Sequence, residues 1–371
     1  MQTTVEQGRL DKHASDIIAL AETLRNLPEP GYGEKKTVEV WRAFAKHHSL
    51  PFDTFLDGQA PLIQLGDPKQ AVTRIAVTAD LDAVGVRRQG ALAWEHLCGH
   101  HAQSAHALGL ALLVKEQGLS PRLSIRLVGC PAEECMPAYD REYPLPFVPG
   151  KRRLLTAGCF SGVTAVLGTH LADDAPERSV ILSHGAHGGI WLRVRESATA
   201  GAPPYTDGRE NAVRQSLAPI LGAHAVAVRL ADACENGVDV RVETAPHGGE
   251  AVPHGGRVAD QLTLGGMPAM LVAEYVPLVH DDVLRGIARR LLREQERAGG
   301  LRMIDQIWLP GVTDLGYVGS AIPTLQVFVG GTKGETHSPE FRVVDPYFAY
   351  VWPGWFLYAM AEAVHRAAMG A

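Results

Sequence analysis

Cys98 and His100 stand two residues apart in HLCGHHAQSAHALGLALL, at the entry to an apolar segment. Glu133 and Glu134 follow the run LSIRLVGC, His170 ends TAVLGTH, and His337 lies just past TLQVFVGG. One thiolate, three imidazoles and a carboxylate make a borderline-soft donor set suited to zinc, manganese, cobalt or nickel. Spread over one or two divalent ions, with a bridging thiolate or water, such a set makes a hydrolytic centre. Adjacent glutamates point in different directions, so one carboxylate binds metal while the other stays free. The free one can take a proton from an attacking water and hand it to a departing nitrogen. Asp80, closing RIAVTAD, is placed to fix a histidine ring through its other nitrogen. Taken singly, Cys98 reads as a small buried side chain and the glutamate pair as surface charge. Their coincidence after successive apolar runs carries the metal reading.

The elements that must position them follow from periodicity. HASDIIALAETLRNL and TVEVWRAFAKHH carry apolar residues at three-to-four spacing and read as helices. RIAVTAD (74–80), LSIRLVGC (123–130) and TAVLGTH (164–170) are short β-branched runs of the kind buried in a mostly parallel sheet. A helix from about 102 to 117 lies between them. Ligands of such α/β sheets bind beyond the carboxyl ends of the strands, where residues distant in sequence meet at one rim. From about 187 the texture changes. GGIWLRVRES reads as a strand, RENAVRQSLAPILGAHAVAV as a helix, and VDVRVET and MPAMLVAEYV as further strands. The expected architecture is an α/β catalytic domain with helices flanking a mostly parallel sheet (1–186 and 280–371), interrupted by a smaller α+β domain (187–279).

Composition narrows the class. The 371 residues are 46% hydrophobic and 20% charged, with a net charge of −6, which argues against nucleic acid or an anionic membrane as partner. No run of about 18 apolar residues occurs, and the opening MQTTVEQGRLDKHASD lacks a signal-peptide core. Five cysteines without extracellular spacing (98, 130, 135, 159 and 234) fit reduced thiols in a cytoplasmic protein.

TADLDAV, HLCGHHAQSAHALG, PAEE, GTH and THSPEF, in this order, resemble the amidohydrolase branch of the aminoacylase and carboxypeptidase metallopeptidases, which includes hippurate hydrolase and plant auxin-conjugate hydrolases. The resemblance implies that Cys98, His100, Glu134, His170 and His337 are metal ligands and that Glu133 is the general base. It further implies that the inserted segment is a lid and the contact of a homodimer. Three departures stand out. Thr78 replaces the family's usual arginine, and His101, a neighbour of the ligands, replaces the aspartate that normally follows Cys-Gly-His. The lid stretch RESATAGAPPYTDG has no histidine, Ala200 standing near the expected place. The lid asparagine and arginine also give way around Pro253 and Pro268. An insertion, CMPAYDREYPLPFVPGKRR, follows the glutamate pair.

A lost oxyanion donor typically costs about 100- to 1000-fold in rate. Either the reacting centre of the substrate has no carbonyl, or other residues take the donor's place, with His184, His187, His247 and His254 as candidates. The first alternative resembles a divergent family member, 5-nitroanthranilic acid aminohydrolase, which replaces an aromatic amine by hydroxide. The favoured expectation is therefore an aromatic-amine aminohydrolase acting on a small anionic acid, with Tyr139, Arg141, Tyr143 or Arg152 as contacts. An N-acyl-amino-acid amidohydrolase is the alternative, and a catalytically inactive binding or assembly protein a third.

Overall fold

A computed structural model describes residues 10–140, 142–195, 207–234, 237–246, 252, 254–264, 267–306 and 308–370. It opens with helices α1 (Ala14–Arg25) and α2 (Lys35–His48), followed by strands β1 (Phe52–Phe55), β2 (Ala60–Leu65) and β3 (Thr73–Asp80). The hairpin β4 (Val84–Arg88) and β5 (Ala91–Glu95) leads to α3 (His100–Gln117), β6 (Leu123–Cys130), α4 (Gly150–Thr156), β7 (Ala165–Leu171) and β8 (Ser179–Leu182). Next come β9 (Gly185–Arg195), α5 (Asp207–Leu221), β10 (Ala225–Cys234), β11 (Gly237–Thr244), α6 (Gly255–Gln261), β12 (Thr263–Leu264), β13 (Met267–Tyr275) and β14 (Leu278–Val279). The order ends with α7 (Asp282–Arg297), β15 (Arg302–Asp305), β16 (Leu309–Val312), α8 (Leu315–Gly319), β17 (Thr324–Val329) and α9 (Trp352–Ala368).

The large sheet runs β1-β2-β6-β3-β7-β17-β8-β15. Its central strands β6, β3, β7 and β17 are mutually parallel, so their carboxyl ends lie along one rim. Burial on both faces explains their unbroken apolar runs. Helix α3 is buried from His100 to Val114, between the sheet and α1 and α9. An apolar helix without a polar face fits only there.

The second sheet runs β10-β11-β9-β13-β12, with β14 and β16 also pairing β9. Ile190, Leu192, Val240 and Val242 face one side of it and pack with Val213 and Leu217 of α5 and Val258 of α6. β16 comes from beyond residue 280, so the smaller sheet draws a strand from the later part of the chain. One expectation needs correction: the helix read through 228 stops at Leu221, and Ala225 opens β10. Gly222 adopts φ +51°, which ends the helix, and the alternating Ala225–Val228 run then favours extended backbone.

Candidate metal centre

The rim where β3, β6, β7 and β17 end collects the donors. Gly99 has φ +96°, and a Cβ there would approach Leu171 Cβ to 2.9 Å, so glycine is needed where the chain turns between Cys98 and His100. His100, on the first turn of α3, donates from Nδ1 to the Asp82 carbonyl at 3.0 Å, with Asp82 Oδ1 at 3.3 Å. His170 donates from Nδ1 to the Leu171 carbonyl at 2.7 Å. Both rings thereby present Nε2 toward the centre. His170 Nε2 lies 3.5 Å from Cys98 Sγ, and His337 Nε2 lies 3.2 Å from the same sulfur.

The glutamates are held through their backbone. Ala132 adopts φ +52° and donates its N–H to Glu34 Oε1 at 2.8 Å. Glu134 N–H donates to Asp82 Oδ2 at 2.9 Å, and the Tyr275 hydroxyl donates to the Glu133 carbonyl at 2.8 Å. Donor atoms cluster in three triads: Cys98, His100 and His170; Cys98, Glu134 and His337; and His100, Glu133 and Glu134, each within 4.8 Å. Cys98 belongs to two triads, which suits a pair of ions sharing a thiolate. Glu134 Oε1 is buried, lies 3.2 Å from His337 Nε2 and receives no well-aligned hydrogen bond. With the His337 ring proton displaced, the two would face each other as lone-pair donors, an arrangement that fits a cation between them.

The charges of the set reinforce one another. Burial pushes the Cys98 thiol up, but the neighbouring His337, His100 and His170 outweigh it and hold the thiol well below its ordinary range. Burial likewise opposes ionisation of Glu134, yet His337 and His100 bring it down to about 2. His337 is pushed up to about 12 by Glu134 and then Cys98. Glu133 moves the other way, raised well above the carboxylate range by burial and by the Asp80 and Glu134 charges. Adjacent carboxylates driven apart in this manner suit separate roles, one as ligand and one as proton carrier.

Two neighbours lie elsewhere than expected. Asp80 makes no hydrogen bond to a histidine ring among the described residues; Lys151 Nζ contacts both Asp80 and Asp314, and Gln103 Nε2 donates to Asp80 Oδ2 at 3.1 Å. Asp80 is still inside β3 and faces α3 and α4, whereas Asp82, past the strand end, meets His100. His101 turns away from the donors, its Nε2 3.1 Å from the Tyr350 hydroxyl and its ring 5.3 Å from that of His96. Lys151, Asp314 and Tyr275 carried no signal in the sequence that would have tied them to the rim.

The lid candidates pair locally. His187 Nδ1 lies 3.2 Å from Glu243 Oε2, and His254 Nδ1 lies 3.3 Å from Glu274 Oε1. The carbonyl of His184 accepts from His280 N–H at 2.8 Å. His247, Ala200, Pro253 and Arg141 lie outside the described residues. Pro268 pairs with Thr263 between β13 and β12. Arg152 sits over the Tyr317 ring at 5.1 Å.

The insertion after Glu134 instead builds a wall. Cys135, Met136 and Phe147 pack with Ala132, Ala273 and Tyr275, and Tyr32, Trp94, Tyr143 and Trp191 join from the edges. Tyr139 lies across Gly85, where a Cβ would come within 2.5 Å of its ring, and meets Trp94 edge-on at 5.9 Å. Its hydroxyl donates to Glu134 Oε2 at 3.4 Å.

No protein-family model matches the chain. Among characterised relatives, an N-acetylcysteine deacetylase of Bacillus subtilis is 25% identical over 90% of this chain and 95% of its own length. An N-acyl-L-amino acid amidohydrolase of Geobacillus stearothermophilus is 26% identical over 53% of each chain. Among solved structures, a dinuclear metal-binding peptidase of the M20 family from Bacillus subtilis superposes with a TM-score of 0.66 at 19% identity, covering 96% of this chain and 99% of that one. The motifs, their order and the architecture converge on one resemblance: over most of its length the chain is similar to amidohydrolases of the aminoacylase and carboxypeptidase metallopeptidases, and it shares its fold with an M20 peptidase.

Proposed function

We propose that the chain is a metal-dependent hydrolase of a C–N bond in a small acid, and that this acid is an aromatic amine of the nitroanthranilate type, hydrolysed with release of ammonia. The observation carrying the hydrolase reading is the pair of triads sharing Cys98, with Glu133 beside them. Cys98, His100, Glu134, His170 and His337 would hold one or two divalent ions, which when bound supply Lewis-acid activation of water. Glu133 takes a proton as the water oxygen adds to the carbon bearing nitrogen, and later delivers it to the departing nitrogen. In the aromatic-amine reading the charge formed on addition spreads over ring and nitro group. The carbon–nitrogen bond breaks, ammonia leaves and a phenol remains.

The missing lid histidine supports the aromatic substrate, and so does the wall of Trp94, Tyr139, Tyr143, Phe147 and Trp191. The second reading, an N-acyl-amino-acid amidohydrolase, is supported by the names of the relatives above. Product analysis separates the two: ammonia from 2-amino-5-nitrobenzoate against free amino acid from N-acetyl and N-benzoyl amino acids. Glu133→Gln should keep the bound metal and abolish either activity; an active variant would remove Glu133 from the mechanism. We also propose that the domain formed by the second sheet pairs two chains, which light scattering reads as twice the 39.9 kDa mass.

A further inference from the structure

Strand alternation gives the second sheet a core face and an open face. On the open face, Trp191 of β9 and Arg241 of β11 are cross-strand partners, and Arg229 of β10 continues the row. Both acids flanking Arg241 on its strand are already engaged. Asp239 accepts two hydrogen bonds from Arg193, at 2.8 and 3.1 Å. Glu243 lies 3.2 Å from His187 Nδ1 and 3.9 Å from Arg229. No carboxylate of the described residues pairs with Arg241, whose guanidinium instead rests over the Trp191 ring, 3.8 Å from its centroid. Trp191 Nε1 is buried and has no hydrogen-bond partner among the described residues.

Trp191 ties this pair to the segment that follows the metal donors. Trp191 packs on the cluster of Cys135, Ala273 and Tyr275, where Cys135 follows Glu134 in the chain and Tyr275 holds the Glu133 carbonyl. The charge of Arg241 reaches this far: burial raises the Cys135 thiol, while the Ala138 N–H and then Arg241 act against it. A guanidinium with no carboxylate partner among the described residues, stiffened by an aromatic plane, is pre-organised to take a carboxylate by two parallel hydrogen bonds.

We infer that Arg241, braced on Trp191, is the specificity-determining residue that binds the carboxylate of the small-acid substrate. The inference rests on the C–N hydrolase reading for the word substrate, and its binding test stands apart from turnover. The probes are 2-amino-5-nitrobenzoate and N-benzoylglycine, each beside its neutral primary amide, titrated calorimetrically into metal-loaded protein. One charge-assisted pair predicts that the wild type binds at least one acid about 10- to 100-fold more tightly than its amide. Arg241→Met should bring that acid to the level of its amide and leave the amide unchanged, while Arg241→Lys should recover part of the preference. The inference is overturned if Arg241→Met keeps the preference, if it weakens acid and amide equally, or if the wild type prefers neither acid. Ammonia or amine release in the same samples judges the hydrolase reading separately. Arg241-dependent binding without turnover would retain the anion site and remove the reaction, whereas turnover without Arg241 dependence would do the reverse.

Discussion

Lys151 is the most consequential buried charge outside the donor set. Its side chain is 1% exposed and its ammonium contacts Asp80 and Asp314, themselves 2% and 0% exposed. Burial alone would lower Lys151, but Asp314 and then Asp80 hold it well above the ordinary lysine value, and Lys151 in turn brings Asp80 down against its own burial. Replacing Lys151 by Met preserves volume and leaves two carboxylates buried without a cation. Breaking a buried pair in this way costs about 3–5 kcal/mol, a large share of the roughly 5–15 kcal/mol that holds a typical domain. At roughly 2 °C per kcal/mol for a large domain, the midpoint of thermal unfolding should fall by roughly 6–10 °C. The loss should barely change between low and high salt, because buried charges are poorly screened. The triple variant Lys151→Met, Asp80→Asn, Asp314→Asn removes the stranded charges and should regain most of the stability. Calorimetric unfolding of the metal-stripped protein is the assay, since it separates this term from ligand stabilisation. A loss below about 1 kcal/mol for Lys151→Met, or an equal loss in the triple variant, would refute the claim that stranded charge governs the effect.

Metal content tests the shared thiolate. Cys98→Ala should lower bound metal at both positions, whereas His170→Ala or His337→Ala should lower it at one, as measured by elemental analysis of dialysed protein. Equal losses in all three variants would argue against two ions around Cys98. Tyr139→Phe keeps the ring against Trp94 and Gly85 while removing the hydroxyl on Glu134. Turnover should fall by about tenfold, with metal content and melting temperature little changed; full activity would leave Tyr139 a packing role only. Acid lability should follow the buried neutral histidines. His106 is fully buried, donates from Nε2 to the Ala349 carbonyl at 2.7 Å, and is lowered to about 3 by burial, while His280 is lowered to about 4 for the same reason. The unfolded chain binds these protons more readily, so the stability they protect is complete above about pH 6.5 and is lost as pH falls toward 3. His106→Gln should flatten that slope in unfolding experiments between pH 7 and 5, and an unchanged slope would assign the lability elsewhere.

Much of the rim was readable because its parts obey local rules. The β3, β6, β7 and β17 runs are apolar on both faces, and donors placed after them have one place to go. The roles of Asp80 and Asp82 were not readable, because two acids two residues apart are separated only by where the strand ends. His101 was misleading for a related reason. Its position beside His100 suggests proximity to the donors, but successive helix residues point about 100° apart, so it faces Tyr350. Lys151 was hidden by its neighbours: in GKRR it looks like one more solvated cation, and only the fold delivers Asp314 from 163 residues away. The switch from α5 to β10 was missed because AHAVAV keeps an apolar pattern compatible with either period.

The insertion and the altered lid are better understood as one change than as two. Phe147 N–H donates to the Val272 carbonyl at 2.8 Å, and Phe147 bridges to Ala273, so the insertion is tied by backbone to β13 of the second sheet. Its other end is tied to the metal rim through Tyr139 and Glu134. Between these ties, Cys135 and Met136 pack with Tyr275 and Trp191 of the second sheet, and Trp94 closes the cluster from the hairpin. A lid that delivers a histidine to the reacting carbonyl depends on its approach to the metals. A second sheet already anchored beside the Glu133–Glu134 pair can act through fixed side chains on its open face instead. The absence of a histidine from the lid stretch, the aromatic insertion and an Arg241 without a carboxylate partner among the described residues are consistent with one geometry. On the proposed function, recognition would rest on the β9–β11 face and the insertion that abuts it rather than on the lid's glycine-rich segment.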